Sequence, residues 1–217
     1  MNGLSDLLLL VVVVLDLWIL SSTRLTTCIR ASALQGVLLA ILPAALSLEG
    51  AGRIPPHVFT LGLGLLALKA FAIPFLLLRA LREADVRHEV EPFVSLNLSV
   101  LLGTALVAIS FWLGTALVLP RPAPSAVVVP AALSTLLIGF LILVSRRQAI
   151  TQVVGYLMLE NGVFMFGQTL IREMPFAAEL AILLDLLVGV FVMGIAIYHI
   201  SREFDHLDTE RLTRLRG

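Results

Sequence analysis

Long apolar runs, separated by short polar or proline-containing breaks, dominate the chain. A helix needs about 20 mostly apolar residues to cross a hydrocarbon core of about 30 Å. Seven stretches meet that length: 3–21, 31–48, 57–78, 93–119, 125–144, 151–171 and 177–199. None is built from the short segments of alternating polarity that mark a membrane β-barrel, and backbone groups in lipid must be satisfied within their own segment. The pattern predicts an all-α, polytopic membrane protein with seven transmembrane helices. No basic residue precedes the first run and no small-residue cleavage site follows Trp18–Leu20, so it is expected to be a retained helix, not a signal peptide. Breaks holding Gly50, Gly52, Pro55 and Pro56, and then Pro120, Pro122 and Pro124, punctuate the chain. The second break divides it into an N-terminal four-helix part (1–119), a C-terminal three-helix unit (120–200) and a tail (201–217).

Composition sharpens this picture. Of 217 residues, 59% are drawn from AVILMFWYC and 14% are charged, and the mean hydropathy is +1.02. Soluble domains carry about 25% charged residues, and a globule this small cannot bury so large an apolar excess. An ordinary soluble enzyme, a disordered chain and a nucleic-acid binder are excluded. The single cysteine, Cys28, excludes an internal disulfide and a cysteine-based metal cage.

The charges are balanced in number but not in place. Apart from Lys69, the basic residues alternate between the two sides of the seven-span topology, 3 on one side and 11 on the other. By the positive-inside rule the N-terminus is expected outside the cell membrane and the C-terminus in the cytoplasm. The tail carries Phe204, Leu207, Leu212 and Leu215 at amphipathic spacing. It fits a membrane-surface or partner-docking segment as well as a solvated end.

Polar residues at depth carry the candidate chemistry. An ionisable group placed mid-helix in a membrane costs about 2.5–3.5 kcal/mol on insertion scales and marks function by default. With a rise of about 1.5 Å per residue, Lys69, Glu160 and Asp185 all fall near the midplane. Glu160 and Asp185 lie on consecutive antiparallel spans. Burial disfavours the charged form of such groups, so each can change charge when a neighbour moves or ionises. That suits a proton relay; the bland alternative is a packing ion pair or a carboxyl held neutral by a backbone carbonyl. Pro74, five residues after Lys69, frees a carbonyl near the lysine and is expected to kink the helix. Asp16, nearer the inner end of its span, and Glu179, near an outer end, are secondary candidates expected to reach the headgroups or the surface. Gln35, Asn97, Gln152, Asn161 and Gln168 are candidates for interhelical hydrogen bonds. No metal-ligand spacing, phosphate loop or nucleophile–base pair is present, so no catalytic residue, metal or cofactor is expected of this chain.

Gly155, Gly162, Gly167, Gly189 and Gly194 permit close helix packing in the last three spans. From Ser134 onward that unit resembles the K subunit of respiratory complex I and related small antiporter subunits. The resemblance rests on Gly155 and Asn161 at the family's spacing after Arg146–Arg147, on Asp185 followed by Gly189, and on the closing Arg-x-x-Arg-x-Arg-Gly tail. The family's glutamate falls two residues after the glycine, where this chain has Leu157; Glu160, about one turn on, is expected to serve instead. Over all seven spans the chain is most similar to hydrogenase-4 component E. The residues carrying that likeness are Gln35–Gly36, Leu68–Lys69–Ala70 with Pro74, Glu91–Pro92, and Gly155-Tyr156-Leu157-x-x-Glu160-Asn161-Gly162. The resemblance implies a membrane-arm subunit of a nickel–iron hydrogenase, formate hydrogenlyase or complex I-like assembly. Such a subunit helps couple electron transfer, performed elsewhere, to proton or sodium translocation. Its partners would be antiporter-like membrane subunits and the lipid bilayer, with no metal, flavin or quinone of its own. A purely structural scaffold of the same assembly and a small stand-alone transporter remain as alternatives.

Overall fold

In the computed structural model, residues 3–83, 93–117 and 125–170 are described, and every regular element among them is a helix. α1 (Gly3–Ser21) and α2 (Leu25–Ala51) form an antiparallel pair. α3 (Pro56–Leu65) runs through a π-helical turn (Leu66–Ala72) into α4 (Ile73–Glu83). Then follow α5 (Leu96–Ala116), α6 (Val128–Ser145) and α7 (Ala149–Leu170). The chain is an all-helical membrane protein: among the described residues, five helices are long and apolar enough to cross a bilayer. α7 is 22 residues long, but Gln152, Glu160, Asn161 and Gln168 interrupt its apolar run. The expected seventh span, 177–199, and the tail lie outside the described residues, as do Glu179 and Asp185.

Two boundaries differ from the sequence reading for physical reasons. α2 begins at Leu25, not at residue 31, because a helix continues past the hydrocarbon edge. Its extra turns carry Arg30, which is exposed. Its C-terminus is closed by Gly52 in the left-handed conformation (φ 67°), whose N–H donates to the Leu48 carbonyl at 3.0 Å. Only glycine adopts that conformation without penalty. Pro55 and Pro56 then restart the chain as α3, at a first turn where a missing N–H costs nothing.

The third expected span is interrupted rather than uniform. At Ile73 the backbone N–H bonds the Leu68 carbonyl, five residues back, while the dihedrals stay right-handed helical. Pro74 supplies the cause. It has no N–H for the Ala70 carbonyl, and its ring would strike that carbonyl in a regular α-helix. Widening by one residue relieves the clash. Such turns are rare and concentrate at functional sites, and this one holds Lys69.

The bundle is organised around the α6–α7 hairpin, which packs on α1, α2 and α5. Its buried apolar side chains form two clusters among the described residues, and each draws on α1, α2, α6 and α7. Glycines bring the α6 and α7 backbones together: a Cβ at Gly139 would lie 2.5 Å from the Leu159 nitrogen, and one at Gly162 would lie 2.6 Å from that of Leu136. At one end of the bundle, Glu49 of α2 accepts hydrogen bonds from the Leu4 and Ser5 N–H groups (2.9 and 3.1 Å) and from the Ser5 hydroxyl. This satisfies the open first turn of α1. At the other end the buried Arg146 donates to the Leu20 carbonyl at 2.6 Å. Arg146 thus ties α6 to α1, although its place beside Arg147 reads as a headgroup charge. Large apolar side chains remain exposed on the perimeter, among them Phe59, Phe71, Phe75, Leu101 and Trp112. That is the surface a helix bundle presents to lipid tails.

Candidate functional site

Six polar side chains from α1, α2, the π turn, α6 and α7 meet in the apolar interior. Asp16, Gln35, Lys69, Thr135, Glu160 and Asn161 are each at most 6% exposed. Hydrogen bonds among five of them, and the ion pair of Lys69 with Glu160, explain how the bundle tolerates them, since a buried polar group without a partner costs about 1–3 kcal/mol and a charge costs more.

The chain of contacts starts at Lys69. Its Nζ donates to Asn161 Oδ1 at 2.9 Å, lies 3.9 Å from Glu160 Oε1, and sits 5.6 Å from the centre of the Phe164 ring. Asn161 Nδ2 donates to Gln35 Oε1 at 3.4 Å. Gln35 Nε2 donates to Asp16 Oδ1 at 2.6 Å, and the Thr135 hydroxyl donates to Asp16 Oδ2 at 2.6 Å. The sequence of partners is Glu160, Lys69, Asn161, Gln35, Asp16, Thr135. Glu160 Oε2 is buried and makes no hydrogen bond among the described residues.

Local structure places each member. Glu160 and Asn161 are adjacent on α7, with Phe164 one turn on, so the acid, the amide and the ring all reach one ammonium. Lys69 is held by the π turn. Gly36 of α2 lies directly against that turn, because a Cβ there would stand 2.7 Å from the Lys69 carbonyl carbon and 2.8 Å from its oxygen. Gln35, the preceding residue, thereby reaches across to α7.

The structure brings together Lys69, Glu160, Gln35 and Asn161, all named from the sequence. Asp16 corrects the expectation of a headgroup-reaching acid: it is 0% exposed and hydrogen-bonded on both oxygens. The depth estimate counted residues along α1 alone, whereas α2 and α6 enclose this level of the helix. Thr135 escaped the sequence reading because a threonine in an apolar helix usually satisfies itself on its own backbone. The pairing of Glu160 with Asp185 lies outside the described residues, and so does Glu179. Among the described residues no cluster of His, Cys, Asp and Glu is suited to a metal ion.

Comparison with known proteins finds relatives of this chain. The chain is 32% identical over 193 residues to a Mycobacterium tuberculosis protein described as "Uncharacterized protein Rv0085", covering 88% of this chain and 86% of that one. It is 26% identical over 149 residues to hydrogenase-4 component E of Escherichia coli K12, covering 69% of each. Hydrogenase-4 component E of Shigella flexneri matches to the same extent. No family model matches the chain, and no solved structure matches it.

Proposed function

We propose a function from one premise: the chain belongs to the family of the Mycobacterium tuberculosis protein Rv0085. Distant similarity to hydrogenase-4 component E supports reading it as a membrane subunit of a multi-subunit complex. On our reading it is such a subunit, of a hydrogenase or complex I-like assembly. It helps couple electron transfer, performed by other subunits, to translocation of protons or sodium ions. Lys69, Glu160 and Asp185 handle the moving charge, the N-terminus faces outward, and antiporter-like subunits are its neighbours.

One observation carries this reading. A lysine and a glutamate face each other at 3.9 Å in the interior of an apolar bundle, on a π turn and a glycine-packed helix. A pair held for stability alone is better replaced by apolar side chains, because the desolvation of two charges is rarely recovered. The separation of 3.9 Å exceeds hydrogen-bond length, so this contact can still tighten or lengthen. The second carboxylate oxygen makes no hydrogen bond among the described residues and is open to a further partner.

The test is Glu160→Gln in the intact complex, assayed in membrane vesicles. In the complex that assembles, ion translocation per electron transferred should fall several-fold. Unchanged coupling in an assembled complex would remove Glu160 from the path. A scaffold role is the second reading, favoured by the number of helices tied through side-chain hydrogen bonds. It requires neutral substitutions at Lys69 and Glu160 to disturb assembly while coupling persists.

A further inference from the structure

The hydrogen bonds between Lys69 and Asp16 all point one way, and the chemistry of the two ends fixes that direction. An ammonium is a donor only. Asn161 must therefore present its carbonyl oxygen to Lys69 and its NH2 to Gln35. Gln35 in turn must present its carbonyl to Asn161 and its NH2 to Asp16. Neither amide can flip without setting donor against donor at the lysine end. Asp16 accepts at both oxygens, from Gln35 and from Thr135, which is the pattern of an ionised carboxylate. Two oriented amides thus lie in series between an ammonium and a carboxylate, and each dipole places its negative end toward Lys69 and its positive end toward Asp16.

We propose that Asp16 is the remote counter-charge of Lys69, and that the Gln35–Asn161 amide pair couples the charge states of the two without passing a proton between them. The inference rests on the reading of Lys69 and Glu160 as charge-handling groups and adds a third to them. A carboxamide N–H is not acidic at physiological pH, so a proton hop along this path would leave an unstable imidic acid behind. Oriented dipoles in a low-dielectric interior, however, transmit charge strongly. While Asp16 is ionised, the amides favour the ammonium at Asn161. When Asp16 is neutralised that preference weakens and Glu160 becomes the stronger partner of the same ammonium. Asp16 then sets which neighbour Lys69 prefers.

Among the described elements few charges compete with this coupling. α1 packs against α2, α5 and α6. Neither α5 nor α6 carries a titratable residue. On α2, Arg30 is exposed, Glu49 is engaged with Leu4 and Ser5, and the Cys28 thiol lies against the Ile19 and Ser22 carbonyls at 3.8 and 3.9 Å. Asp6, the other acid of α1, accepts from the Ser125 hydroxyl. Lys69 and Glu160, reached through the amides, are the remaining charges on the described elements at this site.

The experiment uses the full chain in lipid nanodiscs and follows the protonated-carboxyl infrared band of Asp16, identified as the band that Asp16→Asn removes. Its titration midpoint is compared in Lys69→Gln, which removes the charge, and in Asn161→Ala, which removes the bridge and leaves both charges. Each should move the midpoint upward by about one unit, a tenfold gain in the proton affinity of Asp16, although neither residue touches it. Gln35→Met removes the same bridge from the opposite helix and replaces Asn161→Ala should that variant fail to fold. A midpoint unmoved by Lys69→Gln overturns the coupling. A midpoint moved by Lys69→Gln but not by either bridge variant overturns the role of the amides. Both results are independent of the Glu160→Gln assay of the complex, so either idea can fail alone.

Discussion

Lys69 is tolerated in an apolar helix because polar and aromatic groups meet its ammonium, among them the Asn161 carbonyl, the Glu160 carboxylate and the face of Phe164. Removing one member of such a buried pair strands the other, at a cost of about 3–5 kcal/mol, whereas removing both avoids most of the loss. Lys69→Met should therefore lower the thermal stability of the full chain in nanodiscs clearly. Adding Glu160→Gln to it should recover part of the loss, a non-additivity that a double-mutant cycle measures. Strictly additive losses would mean that the two groups do not interact. At this scale the sequence made visible the residues that are chemically out of place in their runs: Lys69, Glu160, Asn161 and Gln35. It did not reveal Arg146 as a buried clasp on Leu20, nor Thr135 as a donor to Asp16, because both depend on which helix stands opposite. Counting along one helix gives depth, not enclosure.

Among the described residues helix positions were legible from hydropathy, since lipid imposes length and internal hydrogen bonding on a span. The π turn was not. Pro74 announces a disturbance, but a kink and a widened turn remove the same clash, and the choice depends on the neighbour. That neighbour is α2, which comes so close at Gly36 that a Cβ there would stand 2.7 and 2.8 Å from the Lys69 carbonyl carbon and oxygen. Backbone cannot rotate away as a side chain does. Gly36→Ala is thus expected to destabilise the bundle by about 1–3 kcal/mol and to lower ion coupling by displacing Lys69. Gly64 provides the control: it lies in a helix with open space where its Cβ would be. Gly64→Ala should be neutral or stabilising by about 0.5–1 kcal/mol, through the lower entropy of the unfolded chain. Thermal melts of the two variants side by side check the contrast, and equal effects would argue against the close approach at Gly36.

At the level of the whole molecule, the orientation we propose rests on the alternation of basic residues between the two sides. With the N-terminus outside, the turn at Gly52 faces the exterior and the turn after Ser21 faces the cytoplasm. A membrane-impermeant thiol reagent applied to intact cells should label a cysteine placed at Arg53 and spare one placed at Ser22. The native Cys28 is buried and should stay silent in either case. Labelling reversed between the two sites would invert the topology and place the partners' sides the other way. The two walls facing the ammonium are held in the same way: α7 stands backbone to backbone against α6, and the π turn stands backbone to backbone against Gly36 of α2. Any rearrangement of the Lys69–Glu160 pair is thereby confined to the side chains, and in hydrogen exchange the amides of 66–72 and of 155–162 should both be among the last to open.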